Sequence, residues 1–515
     1  MDRTIKGGFA ANDEIVFEKR SESVCTPICE KIITGDLSDD FTLPDYKPEI
    51  RRLLKISTTL PSPSSYISNS TAEFSGDVIY SVLYVGGDGK LSSASLTSVY
   101  EADAPFDFDG DIESVLASDE LEAENIVGRV IAPRKLNIRC RLRHRIRIEA
   151  KCPTSVELTG NSESDSIMRL TDMQASCVRV FGEDDSHEIT EDLSLPSNAI
   201  IIESEAVPLI EHCELKNGGA ECRGAVYLKV LYGTDGGDPF MLERKIPFEA
   251  IIPIGGDGEG WECRVWGCVP NVITEITETG AVSKMRLSLC AEAQKNVPAE
   301  VTKDIFATNK RCDISRESAR VIVAANCSTG NFTVSGSSEL SGLPDSFEVV
   351  AATATAEADE LLAENGKYQL LGKCRFSAVI FGDGEYSCRE FELPFKYEFG
   401  ITEGSPDDYS AKLACPVVKI RGDKNALFAE AEVNAAVRVW SDVVIDVVKE
   451  ASFAEDPDIS RRPAYTVVYV GNGETVWSIA KKYFADPAEI ISANGLRISS
   501  IGAPESLHGV DFLII

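Results

Sequence analysis

Gly76-Asp77-Val78-Ile79-Tyr80-Ser81-Val82-Leu83-Tyr84, running into Gly86-Gly87-Asp88-Gly89, is a β-branched and aromatic run closed by a glycine–aspartate turn. Such a run reads as a strand entering a hairpin. It returns as Gly224-Ala225-Val226-Tyr227-Leu228-Lys229-Val230-Leu231-Tyr232 before Gly233-Thr234-Asp235-Gly236-Gly237. It returns again as Gly372-Lys373-Cys374-Arg375-Phe376-Ser377-Ala378-Val379-Ile380-Phe381 before Gly382-Asp383-Gly384. The leading glycines stand at 76, 224 and 372, a spacing of 148 both times. Leu43-Pro44-Asp45, Leu195-Pro196-Ser197 and Leu343-Pro344-Asp345 precede them by 33, 29 and 29 residues. Two motifs that recur together, three times each, mark domain-sized copies of a single unit.

Within each copy, β-branched runs of four to eight residues alternate with Gly, Asp and Pro turns, the pattern of antiparallel sheets rather than of βαβ units. The segments 417–420 and 433–439 close the third copy in this way. The fold class expected is mostly β: three tandem β-rich repeat domains at 1–153, 154–300 and 301–450, a linker at 451–464, and a small βααβ domain at 465–515. Short helices are expected to decorate the repeats at 48–54 and 357–364. The linker is placed where Glu455-Asp456-Pro457-Asp458 and Arg461-Arg462-Pro463 mix charge with proline.

The tail begins with the strand-like Tyr465-Thr466-Val467-Val468-Tyr469-Val470 and the turn Gly471-Asn472-Gly473. Thr475 can cap a helix in which Val476, Ile479, Ala480 and Tyr483 form one apolar stripe. A second helix is punctuated by Asp486 at the N-cap, Pro487 at the first position, Glu489, and the exit Asn494-Gly495. Asp511-Phe512-Leu513-Ile514-Ile515 supplies a closing strand. Trp477 and Tyr483 read either as sugar-stacking aromatics or, at helical spacing, as core.

These fifty-one residues resemble the LysM domain, through Tyr465-Thr466-Val467, Gly473-Glu474-Thr475, Trp477-Ser478-Ile479-Ala480 and Asn494-Gly495-Leu496. They depart from its pattern in a longer link at 497–508 and in His508-Gly509, where Pro-Gly is usual. The resemblance implies a module that binds N-acetylglucosamine polymers such as peptidoglycan, or a protein in their place. The groove residues it implies are Gly473, Glu474, Thr475, Val476, Trp477, Lys482, Asn494, Gly495 and Leu496.

The three copies are similar to the SPOCS repeat of endospore-forming bacteria, through Leu43-Pro44-Asp45-Tyr46-Lys47-Pro48-Glu49-Ile50, Ile33-Thr34-Gly35-Asp36 and the strand from Gly76. SPOCS-like repeats followed by LysM is the domain order of the SipL-like class of spore-coat morphogenetic proteins. That resemblance implies a mother-cell protein at the forespore surface whose LysM domain holds the coat ATPase SpoIVA.

Lys and Arg number 51 against 83 Asp and Glu, a net charge of −32, which disfavours phosphate backbones and anionic membrane faces. Nucleic acid is therefore not expected as a partner. No export signal and no transmembrane segment is read, so a cytoplasmic protein is expected, with its fifteen cysteines reduced. A few exposed edge strands would suffice for self-association.

Catalytic machinery is not read, and an enzyme is not expected. His144, His187, His212 and His508 are scattered, outside any motif that activates a nucleophile or holds a catalytic metal, and read as surface or filler residues. Cys25/Cys29 and Cys263/Cys268 lack the second pair that a zinc site needs. Asp107-Phe108-Asp109-Gly110-Asp111 has its glycine too early for a calcium loop, and Ser118 stands where the closing glutamate belongs. No metal or cofactor is expected. Along 135–147, Leu136, Ile138, Cys140, Leu142, His144 and Ile146 alternate with Lys135, Arg139, Arg141, Arg143, Arg145 and Arg147. That basic stripe pairs either with acidic neighbours in its own sheet or with an acidic partner.

Overall fold

Each of the three copies folds around a pair of long antiparallel strands formed by its own first and last segments. The computed structural model describes residues 16–17 and 23–515, except 69, 109–111, 155, 161, 235–237, 257–258, 403–405, 424, 456–464 and 499. The loop residues 109–111 of the calcium-like motif and most of the expected linker lie outside the described residues.

After β1 (Val16–Phe17), the first unit comprises β2 (Ser23–Thr42), β3 (Ile50–Thr59), β4 (Ser64–Ser68), β5 (Thr71–Gly86), β6 (Leu91–Pro105), β7 (Ser114–Ala132) and β8 (Lys135–Pro153). β9 (Glu157–Thr159) leads to the second: β10 (Ile167–Leu193), β11 (Ala199–Lys216), β12 (Gly219–Thr234), β13 (Phe240–Pro253), β14 (Glu262–Cys268), β15 (Val272–Thr277) and β16 (Gly280–Ala307). The third comprises β17 (Arg311–Glu339), β18 (Phe347–Glu364), β19 (Lys367–Gly382), β20 (Glu385–Phe399), β21 (Asp408–Asp423) and β22 (Ala426–Ala454). The tail holds β23 (Val467–Tyr469), α1 (Val476–Tyr483), α2 (Pro487–Ala493) and β24 (Phe512–Ile514).

One arrangement recurs in all three units. The last strand lies between the first strand and the strand or strands just before it, as in β2-β8-β7, β17-β22-β21 and β10-β16-β14, where β15 also pairs with β16. The middle of the chain forms a second sheet, centred on β5, β12 or β19. Packing of the two sheets buries one main cluster per unit, around Tyr80 and Leu136 in the first, Val226 and Leu289 in the second, and Phe376 and Val433 in the third. The repeated motif at Gly76, Gly224 and Gly372 is thus the central strand of each second sheet. Its glycines have a steric reason: a β-carbon at Gly372 would come within 2.1 Å of the Glu357 carbonyl and 2.6 Å of the Phe395 ring, and one at Gly76 within 2.7 Å of the Tyr100 hydroxyl. The Leu-Pro motifs form the corner between the first strand and the second sheet, with Leu43 and Leu195 buried there.

Two expectations are corrected. Residues 357–364 and most of 48–54 are strand, not helix. Ala358 pairs with Gly372 and Leu361 with Leu370, so the sheet ladder overrides the helix propensity of an Ala-, Glu- and Leu-rich segment. The strands are also far longer than four to eight residues, reaching 29 in β17 and β22. Bulges between Ser315 and Arg316 and between Ala324 and Asn326 let β17 bend and change environment without ending. β16 runs unbroken across position 300, and β22 continues to Ala454.

The units meet at a buried network of charges. Glu149 of β8 accepts from Arg438 of β22 at 3.2 Å and lies 3.3 Å from Arg179 of β10. Glu292 of β16 accepts from Arg264 of β14 at 2.9 Å and lies 3.2 Å from Arg179. Burial alone would raise both carboxyl pKa values, yet the surrounding guanidiniums hold each at about 2. With folded values below the ordinary 4.5, the stabilisation is complete above about pH 5 and is lost as pH falls toward 2. Urea unfolding between about pH 6 and about pH 3 should show most of this loss as a falling stability, the remainder following below about pH 2. A stability constant over that range would contradict it.

A second link joins the ends of the body: β9, just after the first unit, pairs in parallel with the end of β22, Glu157 opposite Glu450. Among the described residues no helix is long and apolar enough to cross a membrane.

Candidate functional site

The tail forms the expected βααβ module. Thr475 caps α1 reciprocally: its Oγ1 accepts from the Ser478 N–H at 2.9 Å, and its own N–H donates to Ser478 Oγ at 2.9 Å. Asp486 caps α2 by accepting from the Ala488 N–H at 2.7 Å, with Pro487 as the first helical residue. Val476, Ile479, Ala480, Ile490 and Leu513 form the core.

The nine groove residues do not converge on one open surface. Gly473, in the left-handed region at φ 80°, lies in an exposed turn, and Glu474 closes that turn by accepting from the Gly471 N–H at 2.7 Å. Lys482 is exposed, 3.6 Å from Glu474. Gly495 is exposed as well. The others are committed within the protein. Val476 is buried, and Leu496 packs against the module core. Asn494 acts as a strand mimic: its amide donates to the Ile514 carbonyl at 2.7 Å and accepts from the Ile514 N–H at 2.8 Å. The Trp477 N–H donates to the Ile501 carbonyl at 2.9 Å, which fixes the segment after α2 against the start of α1.

Trp477 belongs to the module's buried core and also reaches beyond it. Its indole Nε1–H donates to Asp304 Oδ2 at 2.8 Å, and its ring meets Phe306 edge-on at 4.9 Å. Lys481 donates to Asp304 Oδ1 at 2.6 Å, and Arg316 reaches the same carboxylate at 3.0 Å. Asp304 and Phe306 project from one face of β16, opposite Leu170 and Met168 of β10. The module therefore sits on the end of this strand pair, with its core continuous with the body: Trp477 is 4% exposed and Phe306 2%. No local signal in the sequence marks Asp304 or Phe306, because their partner lies some 170 residues downstream.

The basic stripe on β8 finds its acids inside the chain. Arg141 pairs with Asp36 at 2.8 Å and Arg143 with Glu122 at 2.9 Å, across the sheet. Arg145 reaches Asp408, and Arg147 reaches Glu30, Glu149 and Asp442, so the stripe also ties the first unit to the third. His144 is buried beside Asp119 at 2.7 Å, whereas His212 is exposed. Among the described residues no group of three or more His, Cys, Asp or Glu is placed to hold a metal ion.

Residues 468–502 match the family model of the LysM domain. No curated protein and no solved structure matches the chain. LysM modules suggest binding to peptidoglycan or other N-acetylglucosamine polymers, and the segment matched spans both helices and the exposed turn.

Proposed function

We propose that this protein is a non-enzymatic adaptor, in which three fused β units carry a LysM module and present it in a fixed orientation to a binding partner. The observation that carries this reading is the seat of the module. Trp477 and Lys481 grip Asp304 of the body, while the turn at 471–474, Lys482 and Gly495 stay open. A rigidly mounted recognition surface loses less freedom on binding than one on a loose tether.

The partner proposed is a SpoIVA-like coat ATPase, as resemblance to SipL-like proteins implies, with the protein working in the mother-cell cytoplasm at the forespore surface to direct coat assembly. A protein ligand is supported by the fate of the groove: Trp477 and Asn494, two side chains that could have met a sugar, are spent on internal contacts. The second reading is a peptidoglycan-binding wall or cortex anchor, favoured by the LysM match over 468–502.

The test is binding of the full chain, in parallel, to purified SpoIVA and to insoluble peptidoglycan, with Lys482→Glu as the variant. Binding to SpoIVA that K482E weakens at least about tenfold, about 1.4 kcal/mol, is the expected result. Sedimentation with peptidoglycan and no affinity for the ATPase would put the glycan reading in its place, and binding to neither would remove both.

A further inference from the structure

The sheet of the LysM module has one face under its helices and one face toward solvent. Burial of Val468 and Leu513 turns their neighbours outward, because side chains alternate along a strand. Val467 lies opposite Ile514 and Tyr469 opposite Phe512, and Tyr465 extends the same row. Tyr465 and Tyr469 are each 80% exposed, Val467 59% and Phe512 52%, so the row is not covered by the body. Single exposed apolar residues need no explanation, whereas a contiguous patch of large ones marks an interaction surface.

The edges of this sheet differ. Asn494 closes the outer edge of β24 through both polar atoms of its amide. Reciprocal bonds between Thr466 and Ile515 set the phase of the ladder, so the N–H and C=O groups of Val467 and Tyr469 point away from β24, with no hydrogen-bond partner among the described residues. Residues 465–470 carry no charge, proline or bulge to guard this edge.

We propose that this surface joins two copies of the chain in a two-fold dimer, sheet face against sheet face. Charge singles out this point of contact between two copies. Of the net −32, the segment 465–515 contributes only −2, with three Lys and Arg against five Asp and Glu. Two such chains repel over nearly all of their surfaces and approach most easily at the module. A flat apolar row is also self-complementary across a two-fold axis, with no second sequence required. The five side chains offer on the order of 500 Å² per copy, roughly 1,000 Å² in all, at the low end of specific interfaces. The dimer is therefore weak and concentration-dependent. Salt screens the repulsion between the bodies and tightens it, the reverse of what a charge-driven complex does. This inference does not depend on which ligand the module binds.

Sedimentation velocity of the full chain, from about 1 to about 100 μM in about 0.05 M and about 0.5 M NaCl, tests it. The expected result is a monomer–dimer shift that strengthens severalfold at the higher salt. Val467→Lys and Tyr469→Glu alter side chains that meet solvent in the monomer, so both should fold and both should lose the dimer. Tyr66→Glu, an exposed aromatic position in the first unit, should keep it. A chain that stays monomeric in both salts would overturn the proposal and leave the face to a different protein. So would a dimer that survives V467K and Y469E.

Discussion

Replacing Arg438 with methionine is expected to cost about 3–5 kcal/mol of stability, the largest effect of any single charged side chain in the body. Arg438 is 1% exposed, and its guanidinium faces three acceptors: Gln294 at 3.0 Å, Glu149 at 3.2 Å and Glu292 at 3.6 Å. Burial alone would push it toward its neutral form, but the two carboxylates hold it charged. Its plane also lies 4.3 Å from the centre of the Trp440 ring. Methionine fills much of the space but leaves two buried carboxylates with fewer countercharges, and an uncompensated buried charge is what makes such a deletion expensive. Arg320→Met is the comparison. Arg320 pairs with Asp442 at 2.5 Å but is half exposed, and its loss should cost under about 1 kcal/mol. Urea midpoints at neutral pH would separate the two. Equal costs would mean that the central network contributes no more than a surface pair.

The second large effect is expected at Trp477, where alanine should cost about 3–5 kcal/mol, concentrated in the module and its seat. The indole contributes to two surfaces, packing with Val476, Ile479 and Leu513 on one side and with Phe306 on the other. Hydrogen exchange is the suitable readout because the loss is local: amides of α1, α2 and β24 should lose protection, and those of β12 and β19 should keep it. Asp304→Ala dissects the effect. It removes the acceptor for Trp477 and Lys481 without touching the module's own core, so protection should fall at 168–170 and at the start of α1 while β24 holds. If W477A left β24 protected, the indole would belong to the seat alone.

The elements legible in the sequence are those whose cause is local. Thr475, Asp486 and Pro487 satisfy or remove backbone donors within three residues of themselves, so both helices could be placed from caps alone. Gly76, Gly224 and Gly372 could be aligned because each stands where a β-carbon would clash, with a cross-strand ring at 76, the neighbouring backbone at 224 and both at 372. What escaped reading depends on distant partners. Segment 357–364 has helical composition, and only its ladder to β19 makes it a strand. Arg438 between Val437 and Val439, and Glu292 between Ala291 and Ala293, are charges embedded in apolar runs, a sign that a buried partner exists but not which one. Among the nine groove residues that the resemblance implies, Val476, Trp477, Asn494 and Leu496 also have contacts that build the module or seat it, and those contacts depend on distant partners. Gly473, Glu474 and Thr475 lie at the open turn and the start of α1, Lys482 lies 3.6 Å from Glu474, and Gly495 is exposed at the exit of α2.

The parallel contact between β9 and the end of β22 bears on how the chain is made. Residues 157 and 450 meet, so β9, which pairs with β1 on one edge, waits for the last strand of the third unit before its other edge is closed. During synthesis the N-terminal unit emerges with that edge unsatisfied, and it stays so until nearly the whole body has left the ribosome. Contacts of this separation form late and slowly, because a long loop must close before they contribute. An unpaired edge held open for that interval is where a nascent chain meets its neighbours on the same message, and a chain truncated before residue 450 would carry it permanently.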